Sequence, residues 1–230
     1  MDTSFGVRLG AIGGWLGLGG VTVGFIVIPA LLAGQPPTVH TPPGDVIAYF
    51  RHPEFAALNG VIGVFLGVLT IVPFGFALRS VLGSAGDRAR AFADLGLALL
   101  LVTAPVYLIS SALGAMLVQA STGDPATFAT LFRLYDVLYN GGADVLEGAW
   151  IGAFSVAAIL GGGMPRWVGW LGVALALSRW LKAFVPVAAV PETIIAISGV
   201  LFLAWFIAIV VALTRAAFRP IGRQVIQPAS

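Results

Sequence analysis

The chain has 230 residues, of which 59% are hydrophobic and only 10% charged, with a formal net charge of +2. A soluble domain is about half apolar and a quarter charged, so water is excluded as the main solvent, and a few arginines on a nearly uncharged chain exclude a basic nucleic-acid-binding face. The absence of cysteine excludes disulfides, thiolate metal sites and thiol nucleophiles, and 30 glycines set inside apolar runs read as packing residues.

A hydrocarbon core of ~30 Å takes about 20 apolar residues in a helix. Runs of that length fall at 9–33, 56–78, 95–119, 143–160, 167–185 and 193–213, which predicts an all-α, polytopic bundle of six transmembrane helices. The first run exceeds the 7–15 apolar residues of a signal peptide, and Ala33-Gly34 is a poor cleavage site, so it is expected to remain as a span. Residues 1–214 then form one transmembrane domain, followed by a basic tail at 215–230. Arg8, Arg79, Arg88, Arg90, Arg166, Arg215, Arg219 and Arg223 fall on one set of ends, against Arg51 and Arg133 on the other. Basic residues in short loops stay cytoplasmic, which predicts that both termini lie inside.

In the first span Gly6, Gly10, Gly13, Gly17, Gly20 and Gly24 recur every three or four residues, so one helix face carries no side chains. Ala56, Gly60, Gly63, Gly67 and Thr70 repeat the device in the second span, and the two are expected to form an antiparallel hairpin with backbones in near contact. A cofactor ring, lipid tail or partner helix in that groove is the alternative.

Two outer segments are expected to be short amphipathic helices lying on the outer leaflet, where they either plug the bundle or roof a site. The one at 45–52 turns Val46, Ile47, Tyr49 and Phe50 to the membrane. The one at 125–139 starts at the Asp124-Pro125 cap, presents Phe128, Leu131, Phe132, Tyr135, Leu138 and Tyr139 on one face, and stops at Asn140-Gly141-Gly142.

Ionisable residues at membrane depth are costly and therefore candidates for function. Asp144 and Glu147 lie one turn apart in the fourth span, and Arg179 and Lys182 one turn apart in the fifth, all toward the outer side. The small residues Gly148, Gly152 and Ser155 continue the acidic stripe, and Gly169, Gly172 and Ala176 lead up to Arg179. Two readings follow: an interhelix salt bridge that fixes packing, or a pocket opening outward and lined further by Tyr49, Arg51, His52, Asp136 and Tyr139. His40 and His52 are the only histidines, and neither has the spacing for bis-histidine haem; a metal held by His52, Asp144 and Glu147 has suitable ligand types but no motif behind it. GxSxG, Walker and dinucleotide fingerprints are missing from the sequence, and nothing in it names a cofactor.

The tetrapeptide Gly14-Trp15-Leu16-Gly17 returns as Gly169-Trp170-Leu171-Gly172, and Pro53-Glu54 as Pro191-Glu192, a faint echo between the first and last pairs of spans. The layout resembles uncharacterised bacterial six-helix membrane families in which a proline, here Pro165, precedes a Trp-Leu-Gly helix, here 167–172, with an outer segment such as 45–51 and a closing apolar helix ending in arginines. That resemblance implies the topology and no activity. The expectation from sequence is a non-enzymatic bacterial inner-membrane protein whose partners are membrane lipids and other membrane subunits or a lipid-soluble ligand. The alternative is a small-solute transporter or membrane-embedded enzyme that uses the outward Asp/Glu/Arg/Lys pocket.

Overall fold

The structure, a computed structural model, describes residues 3–22, 37–38, 40–52, 70–161, 163–185, 188 and 190–218, and its regular elements are all helical. They are α1 (Thr3–Thr22), α2 (Pro43–Phe50), α3 (Ile71–Leu82), α4 (Asp87–Ala120), α5 (Pro125–Asp136), α6 (Asp144–Gly161), α7 (Arg166–Lys182) and α8 (Glu192–Ala217). A 3₁₀ turn at Gly83–Ala85 joins α3 to α4, and a π-helical stretch at Val137–Ala143 joins α5 to α6.

Among the described residues, three stretches are long and apolar enough to cross a membrane: Asp87–Ala120, the continuous Pro125–Gly161, and Thr193–Ala217. They contain the spans expected at 95–119, 143–160 and 193–213. Those expected at 9–33 and 56–78 lie partly outside the described residues, as does the tail beyond residue 218. The fifth expected span is the 17-residue α7. At 1.5 Å per residue it is about 25 Å long, short of a hydrocarbon core on its own.

Small residues decide how the helices meet. The groove expected on α1 is filled by this chain: a Cβ on Gly10 would strike Ala77 and the Pro73 carbonyl, one on Gly13 would meet Thr70 and Pro73, and one on Gly17 would meet Thr70 and the Phe206 ring. Residue numbers rise along α1 as they fall along α3, so the pair is antiparallel as expected. Gly20 lies in α1, whereas Gly24, Gly60, Gly63 and Gly67 lie outside the described residues. On its other side α1 meets α8, where Trp15 Nε1 donates to Thr214 Oγ1 at 3.0 Å and Arg8 lies over the Phe218 ring at 5.7 Å. The ring of neighbours runs α1, α3, α4, α6, α7, α8 and back to α1. It encloses Phe74, Leu78, Leu100, Ile151, Phe154, Leu175, Trp205 and Leu213, all buried.

The two ends of the bundle differ. Arg8 reaches the Ala217 carbonyl, Arg79 pairs with Asp94, and Arg90 reaches the Gly83 carbonyl, so the described arginines of the basic set gather at one end. At the opposite end α2, α5 and the last turns of α4 form a second core of Val46, Phe50, Leu113, Leu117, Phe128, Phe132 and Tyr135. Phe50 is its centre, with Phe128, Phe132 and Tyr135 edge-on to it at centroid distances of 6.1, 6.0 and 5.9 Å.

This second core corrects two expectations. The apolar faces of 45–52 and 125–139 turn toward each other and toward α4, not toward lipid; in an apolar solvent the spacing of side chains shows a face but not what covers it. Asn140-Gly141-Gly142 does not stop the helix, because the backbone widens into π-helical bonding and continues into α6. The start of α5 is as expected. The Asp124 carboxylate accepts from the Thr127 N–H and from its hydroxyl, both at 2.8 Å, which holds the carboxyl below its ordinary range.

Candidate functional site

The charged layer forms because α6 and α7 run antiparallel, which sets the first turn of α6 beside the last turn of α7. Close approach is secured at Gly148, where a Cβ would fall 2.5 Å from Trp180 Nε1 and 3.0 Å from the Ala176 carbonyl oxygen. Gly152 faces Ala176 one turn further on, and Ser155 faces Gly169 and Gly172 beyond that. The two small-residue stripes legible in the sequence are thus the two sides of one interface.

Arg179 Nη1 donates to Asp144 Oδ1 at 2.9 Å, and Lys182 Nζ lies 2.9 Å from Asp144 Oδ2. Arg179 Nε stands 3.0 Å from Glu147 Oε2 as an ion pair, without the alignment of a hydrogen bond. The side chains are 3% (Asp144), 10% (Glu147), 11% (Arg179) and 16% (Lys182) exposed, so these contacts lie largely out of water. The guanidinium also packs on the Phe202 ring of α8, 4.7 Å from its centroid, which ties a third helix to the layer. Arg179 and Lys182 sit in the last turn of α7, where the negative end of the helix dipole favours cations. Asp144 and Glu147 gain less from that effect, since α6 continues from the π-helical stretch.

Of the five residues expected to line the layer from outside, the structure brings Tyr139 and Asp136 to it and sets Tyr49 beside Tyr139. Tyr139 stacks on Tyr135 at 5.4 Å and lies within electrostatic reach of Asp144 and Arg179. Asp136 is fully buried, accepts from Asn140 Nδ2 at 2.7 Å, and lies within electrostatic reach of Lys182 and His40. Tyr49, on α2, is near enough to Tyr139 to sense it, and burial raises its phenol above the ordinary value. Arg51 and His52 are exposed, Arg51 Nε being 3.5 Å from the Ser121 carbonyl. Among the described residues no three His, Asp or Glu side chains converge, so His52, Asp144 and Glu147 do not assemble as a metal site.

Four participants were missed in the sequence. Phe202 is one apolar residue in an apolar helix, and nothing marks it as the floor beneath a cation. Trp150 and Trp205, 5.8 Å apart beneath the charged layer, are likewise unmarked. Asn140 did carry a signal, since it follows Asp136 by one helical turn, but its glycine neighbours drew the reading toward a turn. His40 Nε2 lies 3.1 Å from the Val185 carbonyl oxygen, which places the ring proton on that nitrogen.

Chemically, the four charges complete one another: two carboxylates, two cations and an aromatic floor. Compared with family models, with curated proteins and with solved structures, the chain matches none of them.

Proposed function

We propose that this chain is a non-enzymatic accessory subunit of a bacterial inner-membrane complex, crossing the bilayer six times with both termini in the cytoplasm. The observation that carries the reading is the mutual engagement of Asp144, Glu147, Arg179 and Lys182 inside the α6–α7 interface. Side chains committed to each other at 2.9–3.0 Å serve to fix one helix against the next, and a layer so arranged favours packing over turnover. Occupation of the α1 glycine face by α3 and α8 of the same chain speaks for helix packing and not for a ligand in that groove. The gathering of Arg8, Arg79 and Arg90 at one end supports the orientation, because that end is the one basic loops would hold in the cytoplasm. Along α7 and just past its end, Trp167, Trp170, Leu177, Leu181 and Phe184 are exposed and offer an apolar face to lipid or to a neighbouring subunit.

Extraction of the full chain from its native membrane in mild detergent, followed by native mass spectrometry, tests this reading. Co-migration with a defined second subunit is expected, and a stable monomer free of any partner sinks it. The second reading, a small-solute transporter or membrane-embedded enzyme, draws on one observation, the unmatched carboxyl of Asp136 beside the layer. Solute flux that changes in Glu147→Gln would favour that second reading, since the packing role leaves flux untouched.

A further inference from the structure

Around the junction of α5 and α6 the bundle buries three carboxyl groups and two cations. Asp144 and Glu147 are matched by Lys182 and Arg179, which leaves Asp136 as the surplus acid. Its exposure is 0%, its Oδ1 accepts one hydrogen bond from Asn140, and its Oδ2 has no partner among the described residues.

Among the described residues, titratable and charged groups reach Asp136 from several elements. Its own helix supplies the Tyr135 phenol, and α2 brings Tyr49 to the same aromatic core. From α7 comes Lys182, already held by Asp144 at 2.9 Å. From the segment before α2 comes His40, itself engaged with the Val185 carbonyl. Leu113 and Leu117 of α4 belong to the apolar core that Tyr135, the neighbour of Asp136, joins. An ionised carboxylate in such surroundings is shielded from bulk solvent and has no counter-charge of its own among the described residues, and a buried acid in that position takes up a proton.

We propose that Asp136 is a proton-binding site, its carboxyl neutral with Oδ1 accepting from Asn140 and Oδ2 carrying the proton. The proton comes from a hydronium ion, whose O–H bond breaks to leave water as the carboxyl O–H bond forms, and one negative charge leaves the layer, which then holds two ionised acids against two bases. Loss of the proton sets a negative charge beside Lys182 and offers its ammonium a second acceptor in competition with Asp144. The site is therefore coupled to the clamp between α6 and α7. This inference stands apart from the accessory-subunit reading and survives if that reading fails.

Infrared spectroscopy of the full chain in nanodiscs tests it. At neutral pH the wild type is expected to show a protonated-carboxyl C=O band that shifts when aspartate is ¹³C-labelled, disappears in Asp136→Asn and persists in Glu147→Gln. A spectrum without a protonated aspartate band, or a band unchanged in Asp136→Asn, overturns the proposal. If Asp136→Asn fails to fold, Asn140→Ala decides: it removes only the hydrogen bond to Oδ1, so the band must shift, and a band that ignores it overturns the assignment.

Discussion

Arg79 reaches Asp94 at 2.6 Å between α3 and α4, and Arg179 reaches Asp144 at 2.9 Å between α6 and α7, so by distance the first pair is the tighter. Exposure reverses the ranking. The Arg79 and Asp94 side chains are 43% and 49% exposed, against 11% and 3% for Arg179 and Asp144. In water each charge keeps most of its hydration, and such pairs contribute at most about 1 kcal/mol. Out of water the charges need one another, because a carboxylate left alone there cannot recover its lost solvation. What the comparison teaches is that surroundings set the consequence of breaking a pair. They do not make the buried pair a net source of stability, since well-packed apolar residues of the same volume can do as well. The buried pair specifies which turn of α7 sits beside which turn of α6.

Three substitutions sharpen that contrast. Arg179→Ala leaves Glu147 without its partner and Asp144 with Lys182 alone, and is expected to cost about 3–5 kcal/mol, measured by denaturant titration in detergent micelles; a loss below about 1 kcal/mol would mean that water already reaches the layer. Gly148→Leu forces a side chain against Trp180 and the Ala176 backbone, with an expected loss of about 1–3 kcal/mol in the same titration. A variant as stable as the parent would show that α6 and α7 can separate freely there. Asp94→Asn should cost under about 1 kcal/mol. That small loss should shrink further in high salt, whereas the Arg179→Ala loss should not respond to salt. If both respond alike, the two pairs share one environment and the comparison breaks.

Much of the charged layer was legible in the sequence, and for a physical reason. Charges in an apolar segment must be matched, and Asp144, Glu147, Arg179 and Lys182 come in two pairs, each spaced by one helical turn. The glycine face of α1 was legible for a similar reason, since a run of residues without side chains requires a close neighbour, and Gly10, Gly13 and Gly17 have one in α3 and α8. The capped start of α5 at Asp124-Pro125 depends on hydrogen bonds three residues apart, and local chemistry sufficed. The covering of Phe128 and Phe132 was not legible, because lipid and protein interior are equally apolar and only the tertiary path of α2 and α4 distinguishes them. Phe202 beneath Arg179 joins residues of different helices with no compositional mark, so it too needed the fold. The wide turn at Val137–Ala143 was hidden behind glycines that more often end a helix than widen it.

That wide turn has a consequence of phase. Bonding to the fifth residue encloses one more amino acid in each hydrogen-bonded ring than an α-helix does and widens the turn, so the stretch re-times a single continuous helix. Before it, Phe128, Phe132 and Tyr135 point to the aromatic core; after it, Asp144 and Glu147 point to α7. If the same residues took ordinary α-helical bonding with none removed, both carboxylates would swing by one residue's rotation, about 100°, away from Arg179 and Lys182. The stretch therefore holds one residue more than a plain α-helix of the same phase would need, and the widened bonding and the extra residue compensate each other so that Asp144 and Glu147 face α7.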